Sequence, residues 1–321
     1  MDNNNMSFGK DAFEVVGPNL EANQVIVRKS MNYWQDAWRR LKMSKAAIAC
    51  LIYLVLVVLG AIVFPMFSGF TGSEIHSSET YAPPGTVCTD NTYGNAGHTH
   101  WFGTDAIGRD VFTRVWLGAQ ISLFIGLMAA VTDFLIGLPY GGLSGYLGGK
   151  VDNIMMRVLE IIVGIPYLII VVLLLVVMKP GLWTIVLAMA IVGWTGLARL
   201  VRGQIAQLKE QEFVLAAKIL GAKPSRMIMN HMIPNTLGLI IVALTMAIPG
   251  AIFTEAFLSF IGLGVTIPTS SWGMLANEGI QEFRSHAYLL FIPALFISLT
   301  MLALNILGDK LRDVLDPRLR R

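Results

Sequence analysis

The sequence predicts an all-α membrane protein with six transmembrane helices. Hydrophobic residues make up 55% of the 321 residues, charged residues make up only 14%, and the mean hydropathy is +0.62. A soluble domain carries roughly 25% charged residues, so this chain has too little polar surface to coat a water-exposed globule of its size. Several apolar runs have the ~20 residues that a helix needs to cross a bilayer. They cover residues 46–67, 118–140, 155–178, 182–201, 236–258 and 288–307.

Residues 1–45 form a polar N-terminal tail, and the end of this tail has helical spacing. The apolar positions that recur at this spacing are Met31, Trp34, Trp38 and Leu41, and the cations beside them are Arg39, Arg40 and Lys42. Indole rings next to cations are typical of an amphipathic helix that lies in the membrane interface. A plain basic flank of the first span is the alternative interpretation.

The distribution of lysine and arginine predicts that both termini face the cytoplasm. With a cytoplasmic N-terminus, 20 of the 24 lysines and arginines fall on the cytoplasmic side, as the positive-inside rule expects. The outer loop then covers residues 68–117, a cytoplasmic loop covers 202–235, and the C-terminal tail covers 308–321. The modest net charge of +3 gives no sign of a nucleic-acid partner, and membrane lipid is the expected surroundings.

Signals for catalysis, nucleotide binding or metal binding are weak. The segment from Gly145 to Lys150 resembles a phosphate-binding loop, but its glycine spacing is one residue short and no Ser or Thr follows the lysine. We interpret it as a turn between two spans. His98 and His100 lie near Cys88 in the sequence, yet their spacing matches no strong zinc signature. We therefore expect no catalytic residue and no metal site.

Ionisable and polar groups within the apolar runs are the candidates for a solute pathway. Asp133 lies near the middle of the second run, and Thr254, Glu255 and Ser259 lie towards the outer end of the fifth. An unpaired charge at the bilayer centre costs roughly 2.5–3.5 kcal/mol on insertion scales, so such residues often have a function. A polar lining or an outer gate is one interpretation, and hydrogen bonding between helices is the other.

The cytoplasmic loop carries the strongest motif in the chain. Its candidate coupling residues are Glu212, Leu215, Ala216, Ala217, Lys218, Gly221, Ala222, Lys223, Pro224 and Pro234. Two small residues allow close approach of a partner, a glycine allows a sharp turn, and a proline suits the first turn of a second helix. The pattern predicts a rigid helix–turn–helix elbow. It resembles the EAA loop of permease subunits of ABC importers, although Leu215, His231 and Ile233 depart from the family pattern.

Three further blocks resemble the dipeptide and oligopeptide permeases among these importers, and their C-type subunits most of all. The block before the second span contains His100, Gly103, Thr104, Asp105, Gly108, Arg109, Asp110 and Arg114. The other blocks run from residue 255 to 273, including Pro268, and from 308 to 318. We expect the first block to order the outer loop, with Asp105 and Arg109 as a charge pair.

The resemblance implies the type I ABC importer permease fold in the bacterial cytoplasmic membrane. It also implies a second homologous permease, two cytoplasmic ATPase subunits docked on the elbow, and an extracellular or periplasmic peptide-binding protein. ATP and Mg²⁺ would bind to the ATPase subunits, and this chain would bind no cofactor. Peptide is the expected cargo, with nickel or another small solute as an alternative. A proton- or ion-coupled secondary transporter with Asp133 as carrier site is the alternative of a different class.

Overall fold

The computed structural model describes residues 33–265 and 269–315. Within these ranges, five helices are long and apolar enough to cross a bilayer: Lys45–Phe67, Val111–Leu147, Leu182–Leu208, Pro224–Phe260 and Tyr288–Leu315. A sixth apolar segment consists of two helices, Gly149–Gly164 and Tyr167–Met178, which meet at an angle of 75°. The predicted six spans are therefore found when the bent pair counts as one span.

The helices in chain order are α1 (Tyr33–Met43), α2 (Lys45–Phe67), α3 (Val111–Thr132), α4 (Leu138–Leu147), α5 (Gly149–Gly164), α6 (Tyr167–Met178), α7 (Leu182–Val192), α8 (Trp194–Leu208), α9 (Glu212–Ile219), α10 (Pro224–Arg226), α11 (Ile233–Phe260), α12 (Trp272–Gln281) and α13 (Tyr288–Leu315). Two π-helical stretches, Asp133–Gly137 and Met227–Met232, join α3 to α4 and α10 to α11. The short strands β1 (Thr86–Val87) and β2 (Thr99–His100) pair antiparallel, and a 3₁₀ turn covers Ser77–Glu79.

Several helices extend beyond the apolar runs that predicted them. α3 begins at Val111 because the Asp110 side chain accepts a hydrogen bond from the Thr113 N–H at 2.7 Å and so caps the helix. The outer loop therefore ends at residue 110 rather than 117. At the other end of the bundle, α8 continues to Leu208, α9 covers Glu212–Ile219, and the following helix begins at Pro224. The loop predicted for 202–235 is thus mostly helical.

The third span is bent because a proline interrupts it. Ile165 precedes Pro166 and adopts extended backbone angles, φ −82° and ψ 121°. The ring of a proline disfavours helical angles at the preceding residue, so α5 ends there and α6 starts in a new direction. The span predicted for 155–178 is therefore two helices that cover residues 149–178.

A ladder of glycines packs α4 and the preceding π-helical stretch against α8. A Cβ atom added at Gly137, Gly141 or Gly145 would lie within 2.7 Å of a carbonyl oxygen of α8. Small residues four apart allow two membrane helices to approach closely, as here. Gly145 is therefore part of a helix interface, and the predicted turn is limited to Gly148 and the start of α5.

Helix α1 is present as predicted, but its buried face differs from the predicted stripe. Ala37 and Leu41 are buried, and Ala37 packs against α11 and α13, whereas Trp34 and Trp38 are each about half exposed. The tryptophans are thus available to lipid headgroups, and the interfacial position remains a prediction. Met31, Pro268 and residues 316–318 lie outside the described residues.

Large apolar side chains cover much of the outside of the bundle. Val176 and Val177 in α6 and Phe67 in α2 are each about 80% exposed within this single chain. Exposed apolar surface of this extent marks contact with lipid or with another membrane subunit.

Candidate functional site

Helix α9 forms a short elbow between α8 and the long helix that starts at Pro224. Its end is closed by two backbone hydrogen bonds, from Gly221 N–H to the Lys218 carbonyl at 3.0 Å and from Ala222 N–H to the Ala217 carbonyl at 3.1 Å. Gly221 has φ +81°, a left-handed conformation that favours glycine. This arrangement is a Schellman motif, which satisfies the last carbonyl groups of a helix. The predicted sharp turn at Gly221 is present.

The inner face of the elbow is anchored in a hydrophobic cluster. Val214 is only 1% exposed and packs in the same cluster as Ile205 of α8 and Met227 of the next helix. Ala217 and Ala222, on either side of the turn, contact this cluster as well. The elbow is therefore packed against two spans and is not a slack connection.

The outer face of the elbow is exposed and apolar. Ile219 and Leu220 are 86% and 87% exposed, and Phe213 and Leu215 are nearly half exposed. Ala216 lies on the same exposed side. An exposed apolar ridge of this kind is typical of a contact with another protein or with the membrane.

The remaining coupling candidates surround this ridge. Glu212 lies in the first turn of α9 and Lys218 in the last turn, where each charge complements the helix dipole. Pro224 is at the first position of the following helix, as the sequence suggested. Lys223 precedes it as the N-cap residue. Pro234 is the second residue of α11, which follows the π-helical stretch.

The outer-loop motif forms a network of buried ion pairs around Asp105. Arg109 Nε donates to Asp105 Oδ2 at 2.7 Å, the charge pair that the sequence suggested, and Arg114 Nη1 donates to the same oxygen at 2.6 Å. Glu278 of α12 accepts from both arginines, at 3.2 Å from Arg109 and 2.7 Å from Arg114. The network joins the start of α3 to α12 at this end of the bundle.

His100 is completely buried between two carboxylates in the same motif. Its Nδ1 lies 2.8 Å from Asp110 Oδ1, and its Nε2 lies 3.1 Å from Glu79 Oε2. Burial acts to lower the pKa of His100, but the two carboxylates outweigh it and raise the pKa above its ordinary value. Burial likewise acts to raise the pKa of Glu79, yet hydrogen bonds from Thr89 and Asp90 lower it to about 2.

The motif glycines let the backbone of the outer loop pack without gaps. Gly103 and Gly108 both have positive φ, and a Cβ at Gly108 would lie 2.0 Å from the His76 carbonyl oxygen. Thr104 accepts a hydrogen bond from the Ala82 N–H at 2.7 Å. All eight predicted motif residues therefore lie in one folded layer at this end of the bundle.

Asp133 lies at the beginning of the π-helical stretch and lines a cavity of about 330 Å³. One of its carboxylate oxygens and the Tyr167 hydroxyl are buried without a hydrogen-bond partner among the described residues. Thr254 lines the same cavity, where its hydroxyl donates to the Gly250 carbonyl of its own helix. Asp133 and Thr254 are thus brought together at the level of the spans.

Glu255 does not line this cavity among the residues that the structure describes. It is 0% exposed and accepts hydrogen bonds from Ser122 Oγ at 3.0 Å and Ser259 Oγ at 2.7 Å. The sequence grouped Thr254 with Glu255 and Ser259. The structure brings Glu255 and Ser259 together but leaves Thr254 out, because successive residues of a helix point about 100° apart. Glu255 joins α11 to α3 and leaves no surface for a pathway within this chain.

Sequence reasoning missed Glu278, Glu79 and Ser122. Each of them completes the environment of a predicted residue from at least 21 positions away in the chain. No local pattern could have announced these partners.

Comparison with known families agrees with this architecture. Residues 137–321 match the family described as binding-protein-dependent transport system inner membrane component. Residues 32–84 match the N-terminal TM domain of oligopeptide transport permease C.

Two relatives come from Bacillus subtilis. The chain is 51% identical to its dipeptide transport system permease protein DppC, over 94% of this chain and 91% of the relative. It is 47% identical to the oligopeptide transport system permease protein OppC, over 97% and 98%. An inward-facing structure of the MetNI methionine ABC transporter has the same fold, with a TM-score of 0.51 over 63% of this chain and 96% of that chain, at 18% identity.

The bundle of membrane helices has the fold of an ABC transporter permease, and the family match and the relatives show that the chain is a multi-pass membrane permease. The chain belongs to the family of binding-protein-dependent transport system inner membrane components, and within it to the oligopeptide and dipeptide permeases.

Proposed function

We propose that this chain is one of two permease subunits that import oligopeptides or dipeptides into a bacterial cell. The two Bacillus subtilis relatives are named as dipeptide and oligopeptide permeases, and the similarity covers more than 90% of each chain. This supports peptide as the cargo over nickel. The cavity that Asp133 and Thr254 line supplies polar groups at the level of the spans, where a path between two permeases would run.

The observation that carries the proposal is the elbow. Its inner side is fixed by Val214, and its outer side exposes Ile219 and Leu220. A cytoplasmic ATPase subunit would dock on this ridge, and a second ATPase would dock on the partner permease. ATP and Mg²⁺ would bind to the ATPases, so that this chain would bind no nucleotide and hydrolyse none. A rigid elbow transmits displacement to the spans, whereas a flexible loop would absorb it.

The opposite end of the bundle would face outward and meet a peptide-binding protein. The ion-pair network of Asp105, Arg109, Arg114 and Glu278 fixes a folded surface there. Both termini would then face the cytoplasm, as the lysine and arginine distribution predicts. Fusions of a reporter enzyme that is active on only one side of the membrane, placed after residue 90 and after residue 321, test this orientation.

The decisive experiment is purification of the tagged chain in mild detergent from cells that express the ATPases, with mass identification of the proteins that accompany it. We expect a second six-span permease and one or two P-loop ATPases. Ile219→Glu should remove the ATPases and keep the second permease, because the charge lies on the docking ridge. The matched control is Asn235→Ala, which changes an exposed residue beyond the turn and should keep the ATPases. Leu302→Glu would not serve as a control, because Leu302 is an exposed apolar residue of the last span.

Uptake measurements then separate the candidate cargoes. Cells that depend on the chain should take up labelled di- to pentapeptides, and unlabelled peptide should compete whereas nickel should not. Recovery of the chain without ATPases, together with uptake that collapses when the proton gradient is dissipated at constant ATP, would instead favour a gradient-driven carrier.

A further inference from the structure

The outer loop contains a buried group of metal-ligand side chains that neither the family motif nor the transport proposal uses. A ring nitrogen of His76, a carboxylate oxygen of Glu79 and the Cys88 sulfur all lie within 4.8 Å of one another. All three residues are less than 9% exposed. We propose that His76, Glu79 and Cys88 bind a zinc ion or a similar divalent transition metal.

The environment of His76 is a second observation that points to a bound metal ion. The residue is 0% exposed, and neither ring nitrogen has a hydrogen-bond partner among the described residues. A buried polar group without a partner costs about 1–3 kcal/mol, so two such nitrogens on one ring call for an explanation. The nearest charged atom, Asp90 Oδ2, lies 3.5 Å from Nδ1 and does not have hydrogen-bond geometry. A metal ion would satisfy one nitrogen directly.

The donor set suits zinc. Thiolate, imidazole and carboxylate are the ligands of Zn²⁺, and Cys and His together disfavour Mg²⁺ and Ca²⁺. Zinc bonds of about 2.0–2.3 Å place tetrahedral ligands roughly 3.3–3.8 Å apart, so the three atoms would need to move together by about 1 Å at most. Asp90 or a water molecule would supply the fourth position.

The backbone already holds the three ligands in place. The Glu79 N–H donates to the His76 carbonyl at 2.9 Å in a tight turn, and the Cys88 N–H donates to the His98 carbonyl at 2.7 Å. Gly108 packs directly on the His76 carbonyl. His100 contacts the Glu79 carboxylate at 3.1 Å and would orient it, as partners behind metal ligands do.

The proposed site uses a different histidine from the two that lie near Cys88 in the sequence. His98 and His100 were the histidines near Cys88 in the sequence, but His100 is occupied by Glu79 and Asp110. The ligands instead come from a His-x-x-Glu turn and a cysteine nine residues later. The expectation of no metal site is revised by this proposal, which does not depend on the transport function.

The test uses the full chain, purified in detergent with a tag that contains no histidine. After removal of metal with a chelator, the protein is incubated with ZnCl₂, exchanged into metal-free buffer and analysed by mass spectrometry for bound zinc. We expect about one zinc ion per chain in the wild type and at least a tenfold loss in His76→Ala and Cys88→Ser. His98→Ala is the matched control from the same loop and should retain the zinc.

Cobalt provides a readout that does not require the site variants to fold. The chain has two cysteines, so Cys50→Ser leaves Cys88 as the only thiol. Co²⁺ bound to this variant should give a thiolate-to-cobalt charge-transfer band that zinc abolishes. Absence of the band, less than a tenth of a zinc ion per wild-type chain, or equal zinc content in Cys88→Ser would overturn the proposal and leave a hydrogen-bonded polar cluster without metal.

Discussion

Gly221 is the residue where a single substitution should separate coupling from folding. Its φ of +81° closes the Schellman motif at the end of α9, and its N–H donates to the Lys218 carbonyl at 3.0 Å. Apart from its chain neighbours, no atom of residues 33–265 or 269–315 lies within 4 Å of the position that a Cβ would occupy. The cost of a substitution therefore comes from the backbone conformation alone and not from a steric clash.

The magnitude follows from this conformation. An L-residue such as alanine in a left-handed conformation costs about 1–2 kcal/mol, which lowers the population of the native turn by a factor of roughly 5–30. Proline fixes φ near −65° and removes the N–H, so it cannot form the turn and also loses a hydrogen bond of about 0.5–1.5 kcal/mol. Asparagine tolerates positive φ best among the non-glycine residues.

The assay is peptide uptake by proteoliposomes that contain the transporter, measured beside peptide-stimulated ATP hydrolysis. We expect near-normal uptake for Gly221→Asn, a several-fold reduction for Gly221→Ala and no measurable uptake for Gly221→Pro, with all three proteins inserted in the membrane. Gly203→Ala is the matched control, because Gly203 lies within α8 with open space around it and alanine favours a helix. Uptake at the wild-type rate by the proline variant would refute the coupling role of the elbow.

Three further changes test other parts of the molecule. Asp133→Asn should keep ATP-driven uptake within about a factor of 10, since one oxygen of this buried carboxylate has no hydrogen-bond partner among the described residues; complete loss of uptake with the ATPases still bound would support the gradient-driven carrier. Glu278→Gln should destabilise the fold by about 1–3 kcal/mol in thermal unfolding, because two guanidinium groups lose a charged partner, whereas Glu160→Gln in an exposed pair should change little. Trp272→Ala should cost about 3–5 kcal/mol and reduce the amount of folded protein in the membrane, since the indole is fully buried and donates to the Val115 carbonyl; an unchanged unfolding midpoint would contradict this.

Features that depend on neighbouring residues were predictable from the sequence. The spans follow from the apolar runs, and the elbow follows from Gly221 and Pro224, because a left-handed turn and a helix start are local matters of backbone angles. The bend at Pro166 also had a local signal, but a continuous apolar run concealed it. The exposed Trp34 and Trp38 of α1 agree with the predicted stripe, whereas the packing of Ala37 against α11 and α13 was not predictable, because helical spacing does not say which side of a helix meets its neighbours.

Features that depend on distant residues were not predictable. Asp105 and Arg109 are four positions apart, so their pairing was accessible, but Glu278 meets Arg109 from 169 positions away. His76 and Cys88 come together where the Glu79 carboxylate accepts hydrogen bonds from the backbone of Thr89 and Asp90. Thr254 and Glu255 are separated by the geometry of their helix, although their adjacency in the sequence suggested a shared site.

The long helix from Pro224 to Phe260 connects the elbow to the other end of the bundle without a break. Its 37 residues span about 55 Å, more than the ~30 Å of a bilayer core, so one end extends beyond the membrane with the elbow attached. Near its far end, Glu255 is tied to Ser122 of α3 and to Ser259. A displacement of the elbow would therefore tilt this helix about the Glu255 end, deform the π-helical stretch Met227–Met232, or bend the helix at Pro249, which lacks the N–H of an α-helical hydrogen bond. Tilting would move the Thr254 side of the cavity relative to Asp133, and the geometry of the chain thus links a push at the elbow to the polar groups between the spans.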